Sequence, residues 1–174
     1  MKEKYLKTEF HITLCFLVFI VSSIIGWTYE TLITSIDWGE FADRGFLHLP
    51  LCPIYGFGAI FLLWSFHRLK TSMGMFLASM VSTTLIELVA SYALEYFLHM
   101  RLWTYEYWPL HFQGRISLWS SVLFGMFGVF LLKCVHPVTK KTALLIPRVL
   151  RCVICLIMLV VILADTYICL KNIS

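Results

Sequence analysis

The chain has 174 residues, 60% of them apolar and only 14% charged, with a formal net charge of +4. A soluble domain carries roughly a quarter charged residues. This composition, with a mean hydropathy of +0.83, therefore excludes a soluble globular protein and leaves one integral membrane domain over residues 1–174. The pI near 8.8 reflects basic flanks facing the anionic lipids of the bilayer, and no nucleic-acid footprint accompanies it.

A helical span takes about 20 mostly apolar residues. Five stretches approach that length, 10–36, 51–66, 72–98, 116–135 and 149–170, so an all-α bundle of about five transmembrane helices is expected. The short gaps between them leave no room for a soluble domain. The first run is too long for a signal-peptide core, and Gly26-Trp27-Thr28-Tyr29-Glu30 is no small-residue cleavage site. Trp27 and Glu30, three apart, share a helix face. Glu30 lies about twenty residues past the start of its span, where a lone carboxylate is costly.

The acidic, aromatic loop 37–43 leads into the stretch from Arg44 to Gly58, which carries a cation, two prolines and Cys52-Pro53-Ile54-Tyr55-Gly56. Pro53 lacks an amide hydrogen and suits a first helical turn. A helix start or break is predicted there, with the Tyr55 hydroxyl reaching Glu30 or Glu87. In the third span Thr84, Glu87, Ser91 and Glu95 recur at steps of three and four, forming one polar stripe. Carboxylates so placed face a bundle interior or a water-filled cavity. Glu87, the deepest, is expected to be paired with Arg44 or Arg115, or protonated. A charge at mid-membrane costs about 2.5–3.5 kcal/mol on insertion scales.

The loop 101–115 holds five Trp, Tyr or Phe residues, Trp103 and Tyr105 among them. It is expected to lie in the interface as an aromatic cap, ending in Gln113-Gly114-Arg115. The fourth span offers Gly125 and Gly128 for close helix contact, and His136-Pro137 is expected to stop it. The fifth is plain apart from Asp165 near its outer end. Its Cys152-x-x-Cys155 pair sits in a lipid-facing pattern without a second pair, so neither metal nor cofactor is assigned.

Positive charge sets orientation. Lys2, Lys4, Lys7, Arg68, Lys70, Lys133, Lys140, Lys141, Arg148 and Arg151 alternate with Arg44, Arg101, Arg115 and Lys171 across five spans. The N-terminus is thus expected in the cytoplasm and the C-terminus outside.

Gly26-Trp27-x-x-Glu30, Arg44-Gly45-Phe46-Leu47, Cys52-Pro53-Ile54-Tyr55-Gly56, Leu94-Glu95, Trp103-x-Tyr105, Gly114-Arg115-Ile116 and His136-Pro137 occur in this order. Together they resemble the ABC-transporter type IV family, small permease-like multi-pass proteins of the bacterial plasma membrane. The resemblance covers about residues 16–138, with 139–174 an additional last span. Thr104 and Gln113 stand where that family's pattern commonly has Asp and Asn.

Trp27, Glu30, Arg44, Tyr55, Glu87, Ser91, Glu95, Trp103, Tyr105, Gln113 and Arg115 are expected to line an outward-facing polar cavity in the outer half of the bundle. Three carboxylates against two arginines leave one carboxylate spare, for a proton or a cationic ligand. The leading function is a permease-like protein that binds or translocates a small cationic or proton-coupled solute. The alternatives are an intramembrane enzyme acting on a lipid or lipid-linked substrate at the outer leaflet, or a membrane-complex accessory subunit. No serine–histidine or metal-ligand spacing supports a particular chemistry. No G-x-x-x-x-G-K-[ST] loop is present, so ATP-driven transport needs a separate ATPase subunit. A homo-oligomer is compatible with all three.

Overall fold

α1 (Lys2–Trp38) is a single helix of 37 residues, about 55 Å long at 1.5 Å per residue. It continues through Gly26 because that glycine lies inside an otherwise apolar helical pattern and its missing side chain is used for packing. The computed structural model describes residues 2–43, 45, 47–66, 68–99, 101 and 103–173. These form two compact units, residues 1–61 with 135–174, and residues 62–134.

The first unit contains α1, a coil, the start of α2 (Pro53–Phe66), α5 (His136–Leu145) and α6 (Arg148–Ile173). Pro53 opens α2, as its sequence context predicts. Part of the preceding coil packs inward. Ala42, Leu47, Leu51 and Cys52 are all buried, and the Cys52 N–H donates to the Ser23 carbonyl in the middle of α1 at 3.0 Å. Non-helical backbone at membrane depth is tolerated only where protein or a water-filled cavity surrounds it. Two glycines allow this approach. A Cβ on Gly56 would lie 2.5 Å from the Phe19 ring, and one on Gly26 would lie 2.7 Å from the Tyr55 Cβ.

Two expectations are corrected in this unit. His136-Pro137 does not stop the fourth span. A π turn, Leu131–Val135, precedes it, and the helix runs on through α5. A proline in a helix interior clashes with the carbonyl four residues back. Here that carbonyl belongs to Lys133, inside the widened π turn, which relieves the clash. The helix ends instead at Leu145, where Ile146 is extended (ψ 128°) ahead of Pro147. The second correction concerns Cys152 and Cys155. Their thiols face α1, toward Glu9 Oε1 at 3.2 Å and the Thr13 carbonyl at 3.9 Å, not lipid.

The second unit contains α3 (Ser72–Leu98), the hairpin strands β1 (His111–Phe112) and β2 (Ile116–Ser117), and α4 (Leu118–Phe130). Thr71 caps α3, its hydroxyl accepting from the Gly74 N–H. Ser117 and Ser120 form a reciprocal capping box at the start of α4. α3 and α4 pack closely because Gly125 and Gly128 present no side chain. A Cβ on Gly125 would fall 2.7 Å from the Phe76 ring, and one on Gly128 would run into the fully buried Ser79 hydroxyl. Gly128→Val is therefore expected to force the helices apart and cost about 1–3 kcal/mol, read as a lowered midpoint in a detergent unfolding titration. An unchanged midpoint would contradict this packing.

Among the described residues, four helices are long and apolar enough to cross a membrane: Leu6–Trp38, Ser72–Phe97, Leu118–Leu145 and Arg148–Lys171. α2 has 14 residues, about 21 Å against a hydrocarbon core of about 30 Å. The chain is an all-helical membrane protein apart from its small hairpin.

Candidate functional site

In the second unit the polar stripe of α3 meets the hairpin. Glu87, Ser91 and Glu95 stand on successive turns of one face, and Thr84 begins the row 2.7 Å from the Ser121 hydroxyl of α4. The hairpin turns through Gln113 and Gly114, both left-handed at φ 51° and 66°. Glycine suits the second position. Its Cβ would lie 2.7 Å from the Glu106 side chain, and its N–H donates to His111 Nδ1 at 3.0 Å. The loop before the hairpin folds back on it, the Tyr105 N–H donating to the Gly114 carbonyl at 2.8 Å and Trp103 Nε1 to the Arg115 carbonyl at 3.1 Å.

This framework drives Arg115 inward, 6% exposed. Its Nη1 donates to the buried Ser91 hydroxyl at 3.0 Å, and its Nη2 pairs with Glu95 Oε2. The guanidinium lies 3.9 Å from the Tyr92 ring centroid, within range for a cation–π contact. Tyr92 in turn donates to Gln113 Oε1 at 2.6 Å. Arg101 adds a second cation, its Nε 3.3 Å from Glu95 Oε1 and its Nη1 3.6 Å from Glu106 Oε1. An open groove of about 700 Å³ is lined by Tyr92, Glu95, Tyr96, His99 and Arg115.

Glu87 is served differently. Its Oε1 accepts from the Tyr105 hydroxyl at 2.6 Å. Its Oε2 is buried without a hydrogen-bond partner among the described residues, as is Arg115 Nε. Of the alternatives expected for Glu87, pairing with Arg115 is not formed and a phenol stands there instead; Arg44 lies outside the described residues. The hydrogen bonds of Arg115 go to Glu95 and Ser91 instead, because the hairpin delivers the arginine beside the C-terminal turns of α3. The set expected from the sequence is not the one found in this unit: Glu30 belongs to the first unit and Arg44 lies outside the described residues, while Glu106 and Arg101 join Glu87, Glu95 and Arg115. Glu95 takes both arginines and Glu106 shares Arg101, while Glu87 holds a neutral partner.

In the first unit, the Tyr55 hydroxyl donates to Glu30 Oε1 at 3.0 Å, one of the two carboxylates expected for it. Trp27 Nε1 donates to Asp43 Oδ1 at 2.9 Å. Arg44 lies outside the described residues. Of the sequence-selected residues, Glu87, Ser91, Glu95, Trp103, Tyr105, Gln113 and Arg115 form one network in the second unit. Trp27, Glu30 and Tyr55 belong to the first.

Residues 17–170 match the family described as "Putative ABC-transporter type IV". The chain belongs to that family. No curated protein and no solved structure matches it. The family match extends through most of α6, beyond the last recognisable motif at Pro137. In this ABC-transporter type IV chain the motifs acquire definite roles. Gly26 makes room for Tyr55 beside Glu30, Trp103 and Tyr105 hold the Arg115 carbonyl and Glu87, and Gly114 turns the hairpin that delivers Arg115.

Sequence reasoning missed Tyr92, Arg101 and a cluster at the other end of α1. Tyr92 is one position off the stripe. Arg101 serves there only as an orientation charge. Arg148 and Arg151 likewise read as basic flank, yet both reach Glu9, at 3.0 and 3.1 Å. An acidic residue just inside an apolar helix is the signal that could have revealed that cluster.

Tyr105→Phe is expected to leave both Glu87 oxygens without a donor from this network, destabilising the unit by about 1–3 kcal/mol. Tyr92→Phe removes a more exposed bond and should cost less. Unfolding midpoints of the two variants in the same detergent provide the comparison, and equal midpoints would contradict it.

Proposed function

We propose that this protein is the membrane-embedded subunit of a transporter and binds a small cationic or proton-coupled solute at Glu87. One observation carries the reading: among the described residues, Glu87 is a carboxylate in a span-length helix with a neutral partner on one oxygen and no hydrogen bond on the other. A carboxylate so placed is costly, and a cation brought to it removes that cost. Arg115 and Glu95 beside it neutralise each other and fix the wall of the groove. Glu30 with Tyr55 supplies a second carboxylate–phenol hydrogen bond, in the first unit.

In this reading the bundle crosses the bacterial plasma membrane five times, N-terminus cytoplasmic, with α2 as a short crossing completed by the coil ahead of it, whose Leu47, Leu51 and Cys52 are buried. Discontinuous helices of this type surround substrate sites in secondary transporters. A nucleotide-driven cycle requires a separate ATPase chain, since this one has no phosphate-binding loop. Single cysteines replacing Glu40 and Lys141 are expected to label from opposite faces of intact cells. Labelling of both from one face would overturn the topology.

The function itself is tested by thermal-shift measurements on purified protein with small inorganic cations, alkylammonium and guanidinium ions, and with neutral and anionic counterparts. Cations are expected to raise the melting temperature and their counterparts to leave it unchanged. Stabilisation by anions alone, or by none of these solutes, would overturn the reading.

A further inference from the structure

Inside the first unit, away from Glu30 and Tyr55, three side chains converge that no local motif joins. His48 comes from the coil ahead of α2, and Asp165 and Cys169 from neighbouring turns of α6, i and i+4 on one face. His48 Nδ1 lies 2.9 Å from Asp165 Oδ1 and 3.1 Å from Cys169 Sγ, and the sulfur is 4.0 Å from the same carboxylate oxygen. All three donor atoms fall within 4.8 Å of one another.

The arrangement is not a nucleophile–base–acid relay. Such a relay uses the two opposite nitrogens of the imidazole, one facing the nucleophile and one facing the carboxylate. Here thiol and carboxylate both address Nδ1. A single N–H at that position cannot serve both well, whereas a cation replacing the proton can be bound by all three.

We propose that His48, Asp165 and Cys169 form a binding site for a divalent transition-metal ion of the zinc type. Donor chemistry supports this: imidazole and thiolate suit zinc, and one carboxylate is common among its ligands. Bond lengths of about 2.0–2.1 Å to N and O and 2.3 Å to S put tetrahedral donors roughly 3.3–3.6 Å apart. The observed separations bracket that range, so shifts of a few tenths of an ångström suffice.

The surroundings already orient the ligands. The Leu49 N–H donates to Asp165 Oδ2 at 3.1 Å, which turns Oδ1 toward the imidazole. Outer bonds of this kind accompany metal-ligating carboxylates. Leu47, Leu51 and Cys169 form a buried apolar cluster with Leu49 and Ile162 against it, so the sulfur sits in a dry wall. His48 is 63% exposed and Asp165 12%, which leaves a path for entry on the imidazole side. On binding, Nδ1 coordinates in the neutral ring, Nε2 keeps its hydrogen, and the thiol proton is released to solvent. Three protein ligands leave the fourth position to water or an exchangeable ligand. The site is independent of the solute reading at Glu87, since it uses none of those residues.

Cobalt(II) titration of the purified full chain in detergent tests the proposal, because a thiolate ligand gives an intense near-ultraviolet charge-transfer band. The expected result is a band saturating at one cobalt per chain and displaced by zinc. It should be absent in Cys169→Ser and retained in the double variant Cys152→Ser with Cys155→Ser. Asp165→Asn keeps an acceptor for the Leu49 N–H and hence the fold, and should weaken binding by more than about tenfold, the lower bound for even an outer-shell change. A wild-type protein without the band would overturn the site, as would a band that survives in Cys169→Ser. Cobalt affinity unchanged in Asp165→Asn would do the same.

Discussion

Glu87→Gln is expected to fold as the wild type does and to lose cation-dependent uptake in proteoliposomes. The amide keeps the shape of the carboxylate and an oxygen that can accept from Tyr105. No arginine is orphaned by the change among the described residues, because the hydrogen bonds of Arg115 go to Glu95 and Ser91. A purely structural role would therefore show itself as lost stability, and the geometry gives no source for such a loss. What the substitution removes is the negative charge. A hydrogen bond or contact to a charged group is worth about 1.5–3 kcal/mol, or roughly tenfold to more than a hundredfold in affinity. Uptake equal to wild type, in protein with an unchanged unfolding midpoint, would exclude Glu87 from the solute path.

The largest stability effect is expected in the first unit, near the N-terminal end of α1. Arg151 is buried, with Nε donating to the Thr13 hydroxyl at 2.9 Å, Nη1 to the Ala143 carbonyl at 3.0 Å and Nη2 to Glu9 Oε1 at 3.1 Å. It thereby ties α6 to α1 and to the last turn of α5. Its guanidinium also lies 4.8 Å from the Phe10 ring centroid. Breaking a buried ion pair from one side costs about 3–5 kcal/mol, mostly because the remaining charge is left without compensation. Arg148 still holds Glu9 Oε2 at 3.0 Å, so Arg151→Met should cost about 3 kcal/mol, the lower end. Replacing Glu9 by Gln in the same chain should recover part of that loss, since the largely buried carboxylate, left with only the half-exposed Arg148 as a cationic partner, is then gone. Chemical unfolding of the single and double variants decides it. A double variant less stable than Arg151→Met would show that the charge pair is not the source.

The spans were legible because lipid imposes a simple demand, long apolar runs, and four of the five runs are helices of sufficient length. The fifth, α2, was legible as a broken segment because Pro53 fixes its start, but its shortness follows from the burial of Leu51 and Cys52 in coil beside Ser23. No local pattern encodes that contact. Pro137 misled for a specific reason: a helix-interior proline normally costs about 3 kcal/mol or more, and a π turn leaves no signature in Leu131–Val135 that sequence reading could use. Pro147, ten residues on, is the real stop. The aromatic richness of 101–115 masked a hairpin that Gln113-Gly114 signals as a turn.

In the site, the Thr84–Glu87–Ser91–Glu95 row was legible from helical spacing alone. The pairing of Arg115 with Glu95 follows from the need of buried charges for partners. Tyr105 as the partner of Glu87 was not legible as such, because a phenol adds no charge to the balance. Least visible were contacts between residues far apart in the chain. His48 and Asp165 are 117 positions apart, and Glu9 and Arg151 are 142 apart. Periodicity carries no information across such distances.

Equilibrium titration in lipid nanodiscs is the direct test of whether the Glu87 carboxylate binds a cation. The titrant is the cation that stabilises the wild-type protein most, and the proteins are wild type, Glu87→Gln and the exposed-loop control Glu40→Gln. Saturable binding to wild type and Glu40→Gln, weakened at least about tenfold in Glu87→Gln, is the predicted result. Equal affinity in Glu87→Gln and wild type would contradict the account.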